Sequence, residues 1–282
     1  MKNLAKIFTA IVALVAISCT TEATEDLGIQ GENGKGHTTI TLSLEESRTQ
    51  LGAEADGIYP LFWSEGDQIS VNGVASEPLS AAYAGKATAT FTVPVVAEKY
   101  NIAYPAAADG EVLFAENQLH TANNTFGSGV TTMFASGNSG EALQLKHLTG
   151  ILKIGIVGEA TLSHAQISTI DRAPITGAFA IDAEGNTTAG ASAKSVINYS
   201  FGEGVTLSSE PTYIHVAVPA GEYDELYVTL YDKANGVMYA TVKANETNTL
   251  KAGKLRTFKS NISYAATDKV VVIKNEADLK AF

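Results

Sequence analysis

The sequence predicts an all-β protein with two tandem β-sandwich domains, on three observations. Short alternating or β-branched runs recur along the chain with Gly, Asn, Asp and Pro between them, the pattern of strands and their turns. No 3.6-residue apolar period is sustained and no short repeat occurs, which argues against a helical bundle, a coiled coil or a solenoid. Beyond an N-terminal leader and spacer, the length suits one large or two ordinary cores, of which two is preferred.

The chain opens like an export signal: Lys2 and Lys6, an apolar stretch from Ile7 to Ile17, then small Ser18 before Cys19. That stretch is roughly half of the ~20 residues needed to cross a bilayer, and polar Thr20, Thr21 and Glu22 follow at once. Ala16-Ile17-Ser18-Cys19 resembles the lipobox of bacterial lipoproteins, with Ala16 where leucine is usual. The resemblance implies removal of residues 1–18 and acylation of Cys19, which would anchor the chain because each buried methylene contributes ~0.8 kcal/mol. The alternative is an ordinary signal peptide with an incidental cysteine. Cys19 is the only cysteine in the sequence, so neither an intrachain disulfide nor a thiolate zinc cluster is available.

Residues 19–36 read as a flexible tether, rich in Thr, Glu, Gly and Asn, with Glu22, Glu25 and Asp26 making it acidic. It is either a solvated spacer or a surface-export tag. The first domain is placed at 37–145, with strands expected at Thr38 to Leu44, Gln68 to Val74, Ala87 to Val93 and Tyr100 to Tyr104. Ala106 to Gly140 is poorly periodic and reads as long loops with irregular strands. A boundary within Glu141 to Gly150 leads to the second domain, 146–265.

In that second half, strands are expected at Ile151 to Val157, Ala165 to Ile170, Gly177 to Asp182, Ser195 to Phe201, Tyr213 to Val218, Leu226 to Tyr231 and Val237 to Lys243. Asn235-Gly236 between the last two is a hairpin turn signal, because both residues tolerate positive φ. Asp182 to Asn186 reads as another turn. In the C-terminal segment, 266–282, Val270 to Ile273 is strongly β-forming and suits a donor strand. Asn275 to Phe282 then reads like a capped helix beginning, as the start of a further domain would.

The net charge is −11, and loss of Lys2 and Lys6 with the leader takes it to −13. A chain this acidic lacks the cations to neutralise phosphates, so nucleic acid is not an expected partner. Catalytic and cofactor patterns are equally thin. His37, His120, His147, His164 and His215 are scattered without metal-ligand spacing and are read as structural or solvent-facing. Asp182, Glu184 and Asn186 begin like a calcium loop, but Thr187 replaces its glycine and Ala193 its bidentate glutamate. Gly127-Ser128-Gly129 fits no nucleotide fingerprint, and no Gly-x-Ser-x-Gly elbow is present. Carboxylate pairs such as Glu45-Glu46 read as surface charge, no cofactor is expected, and the protein is read as not an enzyme.

Four segments together carry a family resemblance. Arg48-Thr49 with Trp63-Ser64-Glu65-Gly66-Asp67-Gln68-Ile69-Ser70-Val71 resembles the N-terminal domain of fimbrillin-like proteins, the pilins and pilin relatives of certain Gram-negative outer membranes. Lys146 to Gly150 looks like the opening of their second domain, Val218 to Val228 like their late proline-glycine-tyrosine turn and strand, and Leu250 to Lys254 like the segment before the last strand. Read on their own, Gly66-Asp67 makes a turn, Trp63 offers a large surface to a core, and Tyr223 packs over the turn at Pro219 and Gly221.

The resemblance implies two transthyretin-like sandwiches, outer-membrane lipoprotein export and, for many members, assembly into fimbriae by strand exchange between subunits. Such exchange satisfies both an unpaired strand edge and an exposed apolar groove. Some members lose the first strand after an arginine, and Arg48 follows the first expected strand, although arginine-threonine also fits as plain framework. The leading reading is therefore a surface-exposed fimbrillin-like lipoprotein: a fimbrial subunit, anchor or tip, or an adhesin. Its expected partners are the outer membrane through its lipid, other fimbrillin subunits, and a host or bacterial surface ligand. The alternative is a surface carbohydrate-binding module of a glycan-handling lipoprotein, with Trp63 or exposed tyrosines as the sugar platform. A lipid-anchored hydrolase comes third.

Overall fold

The structure is a computed structural model that describes residues 17–18, 37–43, 62–121, 125–139, 143–223, 225–243, 248–258 and 260–269. Alternating burial along the runs turns them into strands with one face inward, as in β5, where Ala89, Phe91 and Val93 are buried between outward threonines. In chain order the first strands are β1 (Ile17–Ser18), β2 (Thr38–Ser43), β3 (Ser70–Val71), β4 (Val74–Ala75), β5 (Thr88–Val93) and β6 (Lys99–Tyr104). Next come β7 (Glu111–Phe114), β8 (Asn117–Leu119), β9 (Met133–Asn138), β10 (Lys146–His147), β11 (Thr149–Val157) and β12 (Thr161–Thr169). They are followed by β13 (Gly177–Ile181), β14 (Thr187–Ala189), β15 (Val196–Thr206), β16 (Thr212–Pro219), β17 (Gly221–Tyr223) and β18 (Leu226–Asp232). The last are β19 (Gly236–Val242), β20 (Asn248–Leu250), β21 (Leu255–Thr257), β22 (Ile262–Ser263) and β23 (Asp268–Lys269).

The architecture is all-β, as the alternation predicts, and the strands form several sheets. One apolar cluster lies between a sheet ordered β1-β2-β5 and one ordered β10-β9-β6-β3-β4. It joins Ile40, Leu42 and Phe91 of the first sheet to Tyr100, Ile102 and Tyr104 of the second. A larger cluster lies between β16-β11-β21, with β22 also on β11, and the six-stranded sheet β23-β19-β18-β12-β15-β8. There Ile154, Ile214 and Val216 face Ile167, Ile197, Val228 and Leu230. Such sheet-on-sheet packing is the sandwich solution for strands with one apolar face.

The Trp63 segment has the structural role its sequence suggests. Gly66 has φ +84° in the turn before Ile69, and the buried Asp67 carboxylate accepts hydrogen bonds from the Ser64 amide at 2.7 Å and the Tyr104 hydroxyl at 2.8 Å. Trp63 sits edge-on to Phe91 and Tyr104, with centroids 5.0 and 5.5 Å away. Burial pushes the Asp67 carboxyl above the usual carboxylate value, the two donated hydrogen bonds opposing it.

One expectation is corrected. The strand expected at Gln68 to Val74 is the hairpin β3–β4, because Asn72 and Gly73, at φ 49° and 75°, turn the chain inside it. The region Ala106 to Gly140, read as long loops with irregular strands, holds β7, β8 and β9, whose local pattern is weak. The reason is that β7 and β8 find their partners far along the chain: β7 pairs antiparallel with β13, and β8 pairs parallel with β15. Short strands stabilised by remote partners need no strong local pattern.

Gln118 of β8 completes this junction. It is 4% exposed, and its carboxamide donates to the Ala217 carbonyl at 2.8 Å and accepts from the Ala217 amide at 2.9 Å. The side chain thereby behaves as a short extra strand on β16, joining the two sheets of the larger sandwich. Replacing Gln118 with Ala should leave both Ala217 groups buried and unpaired, costing roughly 2–4 kcal/mol in urea unfolding. A loss under about 0.5 kcal/mol would show that the contact is not made.

Candidate functional site

Each sequence-identified position can be placed or set aside. Cys19 and Arg48 lie outside the described residues. Trp63 is 0% exposed, which corrects its proposed use as a sugar platform: the ring lies inside a core, with no face for a ligand. Asp182 accepts from the Glu184 and Asn186 amides and from the Asn186 side chain at 2.8 to 3.0 Å, so the calcium-like loop is a turn closed by its own hydrogen bonds. Those bonds hold the Asp182 carboxyl below its usual range. Among the described residues no three metal-ligating side chains come together.

The histidines separate by environment. His164 is exposed and stacks on Tyr231 at 4.1 Å, nearly parallel. His120 lies against Tyr199 and Phe201. His215, on the face of β16 turned away from the larger core, is 1% exposed. Burial, reinforced by the positive neighbours Lys153 and His120, pushes its imidazole down to about 4.

The family-like motifs meet in space. Gly253, at φ +67°, donates its amide to the Thr149 carbonyl at 2.8 Å and packs on the His147 ring, where a Cβ would lie 2.9 Å away. A Cβ on Gly150 would lie 2.6 Å from Leu250 and 2.7 Å from the Lys251 carbonyl. Lys146 to Gly150 and Leu250 to Lys254 are thus two sides of one joint. Tyr223 closes the intervening turn by donating to the Pro219 carbonyl at 2.7 Å, as expected.

The most open functional geometry lies along β19. Its inward residues Met238, Ala240 and Val242 extend the larger core, but among the described residues only Gly236 and Val237 have a partner strand on the outer side, β23. From Met238 to Val242 no described strand pairs with that edge, and across from it run β21 and β22 of the opposite sheet. Between them lies a groove of about 560 Å³, bordered by Met238, Ala240, Val242, Phe258, Arg256 and Ile262. Met238, Ala240 and Phe258 are only partly buried, so among the described residues the sandwich has no further strand at this side. Sequence reasoning placed strand β19 but not the groove, because the groove depends on which strands flank β19, and among the described residues none continues past β23. The available signal was the alternation Met238, Ala240, Val242, which requires a cover.

No protein-family model and no curated protein sequence matches the chain. Solved structures similar to it include two from Bacteroides species. One is a candidate cell adhesion protein from Bacteroides uniformis, 15% identical, covering 80% of this chain and 93% of that one at a TM-score of 0.39. The other is a candidate cell adhesion protein from Bacteroides fragilis, 11% identical, covering 83% and 94%, at a TM-score of 0.37. Both likenesses are loose.

The His215 environment generates a pH prediction. A buried imidazole whose folded value is about 4 stays neutral while the unfolded chain takes up a proton near 6.5. Its contribution to stability is therefore full above about 6.5 and lost as pH falls towards 4, up to about 3 kcal/mol. Urea midpoints measured from pH 7 to pH 4.5 should fall less steeply for His215→Leu than for the parent chain. Parallel profiles would show that His215 does not titrate in this way.

Proposed function

We propose that the protein is a surface-exposed, fimbrillin-like lipoprotein of the outer membrane, acting as an adhesin or as a fimbrial subunit, anchor or tip. In this reading residues 1–18, β1 included, are removed, acylated Cys19 holds the chain through the 19–36 tether, and 37–145 and 146–265 build two transthyretin-like sandwiches, with β7 and β8 of the first range pairing into sheets of the second. The observation that carries it is the groove along β19. An edge that no described strand covers from Met238 to Val242, beside partly buried apolar side chains, suits an added strand, which supplies main-chain hydrogen bonds and covers the core together. Val270 to Ile273 of another copy has the uncharged, β-branched composition for that role.

Processing at Arg48 would have a distinct effect. β2 precedes Arg48 and contributes Ile40 and Leu42, 0% and 1% exposed, to the smaller core. Cleavage would separate the lipid-bearing end and β2 from the rest of the covalent chain and open that core along β5. The uncleaved chain is the anchored form, and the cleaved one is suited to polymerisation.

The test is intact mass, N-terminal sequencing and unboiled gel mobility of protein isolated from the native outer membrane, with Cys19→Ala and Ala240→Glu variants. The expected product begins at acylated Cys19, or at Thr49 within heat-labile ladders. Cys19→Ala should lose the lipid, and Ala240→Glu, which puts a charge into the groove, should lose any ladder. An unacylated soluble monomer beginning elsewhere would overturn the proposal.

A further inference from the structure

The six-stranded sheet packs one face on the core and turns the other to solvent. Strand register aligns a row across that outer face: Tyr239 on β19 lies opposite Thr229 on β18, then come Gln166 on β12, Asn198 on β15 and Asn117 on β8. Four strand spacings of ~4.8 Å make the row about 19 Å long. Flanking it are Tyr231 and His164 on one side and Tyr227 and Ser168 on the other.

The row has unusual chemistry for the surface of so acidic a protein. Its side chains and those of the flanking four positions carry no carboxylate, ammonium or guanidinium, and partial desolvation lowers the pKa of the otherwise exposed His164 from its usual 6.5. Tyr239 is 63% exposed and Tyr227 41%, large areas for aromatic rings. The polar groups form a chain: the Tyr231 hydroxyl donates to Gln166 Oε1 at 3.3 Å, Gln166 Nε2 to Asn198 Oδ1 at 3.3 Å, and Asn198 Nδ2 to Asn117 Oδ1 at 3.4 Å. All three bonds are long, and each carboxamide has two donors and an acceptor oxygen with two lone pairs. Such groups exchange partners at little cost. Beside the row, Gln166, Ser168, Ile170, Arg172, Val196 and Tyr227 border a depression of about 300 Å³, at the small end of ligand pockets.

We propose that this face binds a neutral glycan laid across the strands, with one sugar ring in the depression beside Tyr227. A pyranose presents a ring of C–H groups and a rim of hydroxyls that both donate and accept. The exposed tyrosine faces suit the first and the carboxamide row the second, with no charge in the row itself to be desolvated; the one charged side chain at the depression, Arg172, is exposed and stays hydrated at its border. Nucleic acid fits poorly, because it would need a run of cations along the row. The proposal rests on the surface-adhesin reading for its setting and deepens it by naming the ligand class. Binding by the purified chain is independent of acylation and strand exchange, so either can fail without the other.

The test is isothermal titration calorimetry of the purified full chain in a detergent without a sugar headgroup. The probes are neutral hexasaccharides of β-linked glucose, xylose, mannose and galactose and of α-linked mannose, with a galacturonic acid hexamer as the charged comparison. At least one neutral probe should bind and the charged one should not. Tyr239→Ala and Gln166→Ala should each weaken binding about tenfold, with an unchanged melting temperature. Tyr227→Ala provides a further exposed variant should either of these lower the melting temperature. Absence of binding to every neutral probe, preference for the galacturonic acid hexamer, or unchanged affinity in the folded variants would overturn the proposal.

Discussion

The structure depends on the crossing of β7 and β8 into sheets built by the second half of the chain. β7 pairs with β13, β8 with β15, and the Gln118 carboxamide is spent on the backbone of Ala217, 99 residues away. Around this crossing, Ala103, Val112, Phe114 and Phe134 pack with Phe179, and Phe126 and Val130 pack with Ile151 and Ala217. Backbone pairing, a buried amide and two apolar clusters therefore act at one junction. The Lys194–Glu116 ion pair at 2.7 Å lies there too, but it is largely exposed and contributes at most about 1 kcal/mol. Burial and the desolvated amide dominate.

The crossing also shapes both candidate interaction surfaces. By adding β8 to the six-stranded sheet it brings Asn117 into line with Asn198 and Gln166 and so lengthens the outer polar row. At the opposite edge of the sheet, β19 carries Tyr239 on its outer face and Ala240 towards the groove. A strand added there would extend the sheet past Tyr239 without crossing the row. Assembly and ligand binding can thus share one sheet by using its edge and its face.

Much of the fold was legible where pairing is local and alternation strong. β18 and β19 follow from Leu226 to Tyr231 and Val237 to Val242, and Asn235 takes the expected positive φ of 66°. Gly236 is required for a different reason, since a Cβ there would lie 2.4 Å from the Asp232 carboxylate, which itself accepts the Gly236 amide. β7 and β8 were legible only as irregular strands because their partners are remote, and nothing in the sequence around Gln118 marks its contact with Ala217. The site was less legible than the fold. Tyr227, Tyr231 and Tyr239 alternate outward in the sequence, but only register shows that they share a face with Gln166 and Asn198. Trp63 illustrates the reverse case: a residue type suited to ligands is used entirely in packing.

The central claim, that the β7–β8 crossing makes the two halves one cooperative unit, is tested most directly by scanning calorimetry of the full chain. A shared junction predicts a single transition whose calorimetric and van't Hoff enthalpies agree. Two resolved transitions, with the six-stranded sheet surviving the first, would contradict it.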